Sequence, residues 1–383
     1  MSYIITIDAT NIITGGGLTH LAELLNNVSD EIIRVSKIKE IHIIAVNPVL
    51  DKIQDRDYLH KIPMGNLEGS LLKRLIWKFK NLDRIIAGTN CNIVFNPGGS
   101  FFSKKYKYIT VSQNMLVFEK EEAKRFPFTL QLRFRILNVL QTQSINNAAG
   151  VIFISEYAKK YIGSLPGIKR PNNQVVIPHG VSDRFRQLPR VVVDIASYSN
   201  EKPFRIVYVS VLDVYKHHDK VAQAVANLYH QGYPVTLTVV GGEAGGYPKF
   251  KAVLNENKEC IEYLRKIPFE EMERVYHTTD MFVFASTCEN MPNIVIEAMS
   301  AGLPIASSEK MPMPEFLQEA GVYFNALDVG TIEKALIKLM EDKILRQTVM
   351  EKAYELSQQY SWTVCAQNTF KFITATIENG DKK

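Results

Sequence analysis

Two carboxylates, Glu289 and Glu297, stand in the segment 288–307 with seven residues between them. Glu289 follows the apolar run MFVFAS (281–286), and Glu297 lies in a helical pattern that begins near Pro292. Carboxylates accept hydrogen bonds from sugar diols, and the free N–H groups at a helix start, here those of 291, 293 and 294, attract phosphates. The pair therefore predicts a ligand with sugar hydroxyls at both ends of a diphosphate. On spacing alone, the alternative in which Glu289 is a solvated loop acid and Glu297 a helix-surface acid is as good as the ligand-binding interpretation.

A cation follows another apolar run, FRIVYVSV (204–211). Lys216 lies five residues beyond that run, where an ammonium group would stabilise a leaving diphosphate. A solvated lysine is the alternative that the residue alone favours. The neighbouring His217 and His218 are expected at the surface.

A glycine-rich turn, TGGGLTH (14–20), joins the first apolar run to a helical pattern. Gly15, Gly16 and Gly17 permit positive φ angles and the close approach of a ligand. The pattern is not the GxGxxG of a dinucleotide site. A simple tight turn remains the alternative.

Apolar runs of strand length recur along the chain and alternate with helical segments, which predicts parallel strands covered on both faces. The fold class is therefore α/β, with two tandem Rossmann-like, doubly wound domains and a ligand cleft between them. The expected boundaries are 1–185 for the first domain, 186–203 for a linker and 204–360 for the second domain. A C-terminal helix, 361–378, is expected to cross back to the first domain.

Composition excludes several classes of protein. The chain has 383 residues and four widely spaced cysteines, which do not suit a disulfide framework or a cysteine-ligated zinc site. The start MSYIITID is interpreted as a buried strand, and no apolar stretch is long enough to cross a membrane. An intracellular, cytosolic protein is expected.

Charge is distributed unevenly. Residues 1–190 hold 26 Lys and Arg against 15 Asp and Glu, whereas the remainder holds 19 against 25. The first half is thus expected to face an anionic surface or substrate. The segment 69–82 predicts a helix with an apolar face that includes Ile76 and Phe79 and a basic face that includes Lys78. Packing on the sheet and lying in a membrane interface are both open for this helix.

Five segments occur in an order that resembles the retaining, nucleotide-sugar-dependent glycosyltransferases of family 4, which have the GT-B fold. They are VIPHGVSDRF (176–185), VYVSVLDVYKHHDKVAQAVANL (207–228), VTLTVVGG (235–242), IPFEEMERVYHTTDMFVFAS (267–286) and MPEFLQEAGVYF (313–324), with the two acids of 288–307 between the last two.

The resemblance implies a role for each matching residue. Glu289 would contact the donor sugar, Lys216 the diphosphate and Glu297 the ribose. Gly16 and Gly17 would face the donor phosphate and the acceptor. The remaining implied residues are Asn290, Met291, Pro292, Asn293 and Ile294 around the sugar and diphosphate, and Arg265 and Ile267 near the nucleobase.

The sequence departs from the family pattern at two places. Val211 stands where an arginine is usual, so that either Lys216 acts alone or Arg184, Arg205 or a cation of the first domain substitutes. A family histidine in the first domain is replaced by Gln113 and Asn114, of which Asn114 is the candidate catalytic residue. Glu119, nearby, is a candidate partner of an acceptor hydroxyl.

The function that the resemblance implies is transfer of a hexose to a glycan, lipid-linked or free, in bacterial O-antigen or capsule synthesis. The protein would be cytoplasmic and peripheral on the inner membrane, would use no metal or other cofactor, and would not bind nucleic acid. A nucleotide-sugar epimerase and a non-catalytic sugar-nucleotide or glycan-binding subunit are the alternatives.

Overall fold

The computed structural model describes residues 2–13, 15–64, 73, 76–101, 103–169 and 171–380. Within them the chain forms two compact units. The first unit consists of 1–118, 133–180 and 361–383, and the second of 119–132 and 181–360.

The first unit is built on a seven-stranded parallel sheet in the order β3-β2-β1-β4-β5-β6-β7. Its strands are β1 (Tyr3–Asp8), β2 (Ile38–Ala45), β3 (Leu59–Pro63), β4 (Ile93–Asn96), β5 (Tyr108–Ser112), β6 (Gly150–Phe153) and β7 (Gln174–Val176). Every residue of β4, β5 and β6 is buried, as expected for strands covered on both faces. The helices of this part of the chain are Gly16–Asn26, Asp30–Val35, Asn47–Leu50, Asp83–Thr89, Phe128–Asn147 and Glu156–Gly163.

The second unit is built on a six-stranded parallel sheet in the order β10-β9-β8-β11-β12-β13. Its strands are β8 (Phe204–Val209), β9 (Val235–Val240), β10 (Ile261–Leu264), β11 (Met281–Phe284), β12 (Ile305–Ser308) and β13 (Val322–Phe324). Its helices are Lys120–Ala123, His218–His230, Tyr247–Glu256, Met272–His277, Asn293–Ser300, Met313–Leu317, Val329–Glu341 and Lys343–Ser357. The two Rossmann-like domains confirm the expected fold class.

The apolar helical pattern that covers residues 330–358 of the sequence forms two helices, Val329–Glu341 and Lys343–Ser357, which meet at Asp342. The ψ angle of Asp342 is 88°, which is not helical, and its carboxylate accepts a hydrogen bond from the N–H of Leu345 at 2.8 Å. A capping aspartate thus begins a second helix inside an otherwise continuous apolar pattern.

The C-terminal helix Trp362–Gly380 packs on the helices Gly16–Asn26 and Asp30–Val35 of the first unit. The Tyr3 hydroxyl donates to Glu378 at 3.2 Å and Lys37 pairs with the same carboxylate at 3.1 Å. The stretch predicted as a linker, 186–203, contains a short 3₁₀ helix, Ile195–Ser197, and belongs to the second unit.

The predicted faces of the segment 69–82 agree only in part with the structure: Leu82, which the same pattern places on the apolar face, is buried, but three other residues are not placed as predicted. Residues 69–72, 74 and 75 lie outside the described part of the chain. Lys78, placed on the polar face, is buried and pairs with Asp8 at 2.9 Å. Ile76 and Phe79, on the predicted apolar face, are 47% and 74% exposed, which does not fit packing on the sheet and leaves the membrane interface open. Lys78–Leu82 is a π-helix, whose wider turn shifts the faces that a 3.6-residue period predicts.

Candidate functional site

Lys216 and Glu289 form an ion pair in the second unit. Lys216 ends the 3₁₀ helix Val214–Lys216 that follows β8, and Glu289 lies in the loop that follows β11. The two strands are neighbours in the parallel sheet, so their carboxyl ends bring both loops to the same edge. This edge is where doubly wound domains bind ligands.

The Lys216 side chain is held in an apolar environment. The residue is 7% exposed, and its ammonium group lies 5.1 Å from the ring centre of Tyr215 and 5.0 Å from that of Phe284. The Tyr208 hydroxyl donates a hydrogen bond to the Lys216 carbonyl. Burial first, and the Glu289 charge second, raise the pKa of Tyr215. The solvated lysine of the alternative interpretation is therefore ruled out.

Glu297 is the fifth residue of the helix Asn293–Ser300. Its carboxylate accepts a hydrogen bond from the Tyr276 hydroxyl at 2.8 Å. Burial raises the pKa of Glu297 to about 7, although the Tyr276 bond acts in the opposite direction. The half-buried carboxyl is thus not a solvated helix-surface acid, which was the second interpretation.

The loop before this helix is more constrained than the sequence indicated. Asn290 and Met291 are 5% and 6% exposed, and Pro292 is the N-cap residue. The N–H of Asn293 donates to the Met291 carbonyl at 3.0 Å, so the expectation of a free Asn293 amide is wrong. Ile294 occupies the second helical position, where an N–H has no carbonyl acceptor inside the helix.

Arg265 and Ile267 follow β10 at the same edge of the sheet. Arg265 is exposed, and its guanidinium lies 3.7 Å from Glu243, which follows β9. Ile267 is half-buried. Their proposed contact with a nucleobase stays a prediction.

His217 and His218 are buried, so the expectation of surface histidines is wrong. His217 has a left-handed φ of 49° at the N-cap of the helix His218–His230, and its Nε2 lies 3.2 Å from the Thr287 hydroxyl. The His218 ring stacks on Tyr208 at 4.1 Å between centres. Burial, followed by the Arg125 charge, lowers the pKa of His217 to about 4. Both rings thus support the loop that carries Lys216.

Arg205 does not substitute for the missing family arginine. It lies near the amino end of β8, whereas Lys216 follows the carboxyl end. Its backbone N–H and its Nε both donate hydrogen bonds to Asp280, at 2.9 Å and 3.3 Å. Val211, in the family position, is 54% exposed.

The segment 119–132 contributes to the second unit. The Phe126 and Tyr215 rings lie 6.2 Å apart. Burial raises the pKa of the Cys288 thiol, and the charges of Glu119 and then Glu289 add most to this rise. Glu119 therefore lies near the loop of Glu289, although its role toward an acceptor stays a prediction.

In the first unit, the helix Gly16–Asn26 begins inside the glycine turn. Gly15 alone among the three glycines has a positive φ, of 73°, because Gly16 and Gly17 are already helical. A Cβ atom at Gly17 would lie 3.9 Å from the Gln113 Oε1 atom. Asn114 is exposed and its side chain accepts a hydrogen bond from the Leu116 N–H at 3.1 Å. The binding roles of Gly16 and Gly17 and the catalytic role of Asn114 stay predictions.

A stack of aromatic rings that the sequence did not predict lies beside Gln113. His20 and His179 stack at 4.4 Å between ring centres, and His179 stacks on Trp362 at 5.4 Å. His20 Nδ1 lies 2.6 Å from Gln113 Nε2. Burial, then the His179 charge, lowers the pKa of His20 well below its usual value, so the ring is neutral. The only sequence signal was a histidine at the end of the glycine turn.

Comparison with known proteins agrees with this architecture. Anabaena HepE, in complex with UDP and glucose, superposes with a TM-score of 0.69 at 13% identity, over 97% of this chain and 100% of that one. Sucrose-phosphate synthase from Thermosynechococcus elongatus superposes with a TM-score of 0.76 at 15% identity, over 96% of this chain and 97% of that one. These likenesses show the GT-B fold.

Residues 194–356 match the model of the family described as glycosyl transferases group 1. O-antigen chain mannosyltransferase B of Escherichia coli is 28% identical over 109 residues, which make up 28% of this chain and 29% of that protein. The match thus spans less than a third of that relative. The family match covers less than half of this chain and shows similarity to group 1 glycosyl transferases, and the two structural likenesses show the fold alone.

Proposed function

We propose that the protein is a retaining glycosyltransferase that moves a hexose from a nucleoside-diphosphate sugar to a hydroxyl of a glycan acceptor. The observation that carries this proposal is the Lys216–Glu289 ion pair at the carboxyl ends of β8 and β11. It places one cation suited to phosphate and one carboxylate suited to sugar hydroxyls side by side.

In this reaction the bond between the anomeric carbon and the diphosphate oxygen breaks, and a bond from the acceptor oxygen to that carbon forms on the same face. The proton of the acceptor hydroxyl passes to the departing phosphate, so no protein nucleophile is needed. Lys216 stabilises the negative charge that develops on the diphosphate, and Glu289 orients the sugar. Positioning and electrostatics then supply most of the acceleration.

Glu297 binds the ribose in this proposal. A carboxyl group with a pKa of about 7 is partly ionised at neutral pH, and the Tyr276 hydroxyl fixes its orientation. The Glu297 carboxylate can accept further hydrogen bonds besides the one from Tyr276, and two ribose hydroxyls would donate them.

We further propose that the transfer needs no metal ion, because Lys216 already supplies a cation at the phosphate position. Transfer should persist in the presence of a chelator. Loss of transfer with chelator, restored by a divalent ion, would contradict this part of the proposal.

The acceptor is proposed to be linked to lipid and the protein to work at a membrane surface, in the synthesis of a bacterial surface polysaccharide. The helix Phe128–Asn147 supports this, because its residues 128, 132, 136 and 139 form one apolar stripe that is 47–70% exposed. Arg133 and Arg135 are exposed on the same helix and would meet anionic headgroups. No helix among the described residues has the length and hydropathy to cross a bilayer. The Escherichia coli relative is named for O-antigen chain synthesis, which supports the proposed role in a surface polysaccharide.

A panel of nucleotide sugars with a lipid-linked glycan acceptor tests the enzyme. We expect transfer from one donor, with the anomeric configuration of the donor kept in the product. Glu289→Gln should abolish most of the transfer, whereas the matched change Glu355→Gln, at an exposed position of the helix Lys343–Ser357, should not. Inversion of configuration would exclude the retaining class, and no reaction with any donor would contradict the proposal.

A non-catalytic sugar-nucleotide-binding subunit is the second candidate, and one observation favours it. Val211 places an exposed apolar side chain where the family that the sequence resembles has a phosphate-binding arginine. Calorimetry that shows donor binding, together with no turnover across acceptors, would favour this candidate. Interconversion of the donor without an acceptor would instead indicate an epimerase.

A further inference from the structure

Two histidines and a glutamate lie close together on one face of the first sheet, at its β3 edge and far along the chain from Lys216 and Glu289. Glu40 and His42 are two residues apart on β2, and His60 is the cross-strand partner of His42 on β3. Side chains two residues apart on a strand share a face, as do cross-strand partners. The local topology therefore brings all three to one place.

The three side chains direct ligand atoms toward one point. Glu40 Oε2 lies 3.2 Å from His42 Nε2 and 4.0 Å from His60 Nε2, and the potential ligand atoms of the group all lie within 4.8 Å of one another. Zinc held at about 2.0–2.1 Å by each ligand in a tetrahedron needs ligand atoms a little over 3 Å apart. The Glu40–His42 pair already meets this spacing, and the exposed His60 ring would have to move closer than its present 4.0 Å to complete the set. Among the described residues, this is the only group of its kind.

The surroundings prepare the carboxylate as a single-oxygen ligand. The other oxygen of Glu40, Oε1, accepts from the Lys39 ammonium at 2.9 Å, which leaves Oε2 to the two rings. Such an outer partner orients a ligating carboxylate and stabilises its charged form. The side chains of Glu40, His42 and His60 are 27%, 16% and 47% exposed, so an ion can enter and keep a water ligand.

We propose that Glu40, His42 and His60 bind a divalent ion of the borderline class, of which Zn²⁺ is the representative. Two imidazoles and one carboxylate suit this class better than Mg²⁺ or Ca²⁺, which prefer all-oxygen sites. Since β3 is the edge strand, the ion joins that edge to β2 and stabilises it against separation. This site is independent of the proposed transferase activity.

Titration of the full chain with Zn²⁺ by calorimetry, in a Cys91→Ser background that removes the half-buried thiol, tests the proposal. We expect one ion per chain. His60→Ala should weaken binding at least about tenfold, as should Glu40→Gln, the size that loss of metal-site groups commonly produces. The matched control is His230→Ala, because His230 also faces a glutamate, Glu259 at 3.8 Å, but lies outside the converging group. It should bind as the parent does.

Two further readouts separate a built site from loose surface binding. Co²⁺ should give the visible spectrum of a tetrahedral nitrogen-and-oxygen site in the parent chain and lose it in His60→Ala. Saturating Zn²⁺ should raise the thermal midpoint of the parent but not of His60→Ala, whose exposed position leaves the fold intact. Zinc binding that persists unchanged in His60→Ala and Glu40→Gln, or no binding below millimolar Zn²⁺, would overturn the proposal.

Discussion

Replacing Glu297 by glutamine should stabilise the protein at neutral and higher pH, because the native carboxyl is difficult to ionise. Burial raises its pKa from 4.5 to about 7. Each pKa unit corresponds to about 1.4 kcal/mol, so ionising this group in the folded protein costs about 3.5 kcal/mol at most. Glutamine has the same shape, keeps an oxygen that accepts from the Tyr276 hydroxyl and never ionises.

The sign of the pH dependence follows from the bound proton. Between about pH 4.5 and pH 7 the folded protein keeps the Glu297 proton that the unfolded chain has lost, so rising pH lowers the free energy of unfolding. Below this range both states are protonated, and above it both are ionised. The stability difference between Glu297→Gln and the parent should thus be near zero at the acidic end and level off above the upper limit.

Urea unfolding of both proteins across this pH range measures the difference directly. Glu355→Gln, at an exposed helical position, serves as the control and should give a difference that does not change with pH. If the Glu297→Gln difference is flat, or if the variant is less stable at the alkaline end, the burial argument is refuted. Under the proposed function the same variant should also bind nucleoside diphosphates less tightly, since an amide accepts fewer hydrogen bonds from ribose than a carboxylate.

Three more changes test other parts of the structure. Lys216→Met should weaken binding of nucleoside diphosphates about tenfold or more, which is the effect of losing one charge-assisted hydrogen bond. Glu289→Gln should strengthen this binding because it releases Lys216, and calorimetry that finds the same direction for both variants would contradict the pairing. Asp8→Asn and Lys78→Met should each lower the free energy of unfolding of the first unit by about 3–5 kcal/mol, because each leaves one buried charge without its partner. In urea unfolding the double variant should recover much of that loss, whereas additive losses would show that the buried pair is not coupled. Gly241→Ala should lower the thermal midpoint of unfolding strongly, because the added Cβ atom would overlap the Ser210 carbonyl oxygen. An unchanged midpoint would show that the backbone at Gly241 does not pass this close to Ser210.

The fold was largely predictable because buried parallel strands are apolar along their whole length. The runs at β4, β5 and β11 illustrate this, since all their residues are buried. β3 was missed because its sequence, LHKIP, is polar at an edge position where one face meets solvent. The helix Phe128–Asn147 was missed because its apolar residues face outward, and a search for a core-facing stripe does not find it.

The site was only partly predictable. The strand-end positions of Lys216 and Glu289 followed from the apolar runs, but their pairing depends on β8 lying beside β11, and the order of strands is not written in local sequence. The burial of His217 and His218 could not be seen either, since two adjacent histidines before a helix are equally compatible with a surface turn. Their places are set by Thr287 and Tyr208, which are far from each other in sequence.

The ion pair also bears on how a diphosphate would enter the proposed site. A lone buried lysine would carry a large desolvation cost in the free protein, and Glu289 offsets that cost. A bound diphosphate would supply a second anion to the same ammonium group, so that Glu289 could turn its oxygens to the sugar hydroxyls beside it. The ligand would then exchange one partner of Lys216 for another and would not have to desolvate the cation anew. Affinity would depend on the difference between two ion pairs, which is why Lys216→Met and Glu289→Gln are expected to change diphosphate binding in opposite directions.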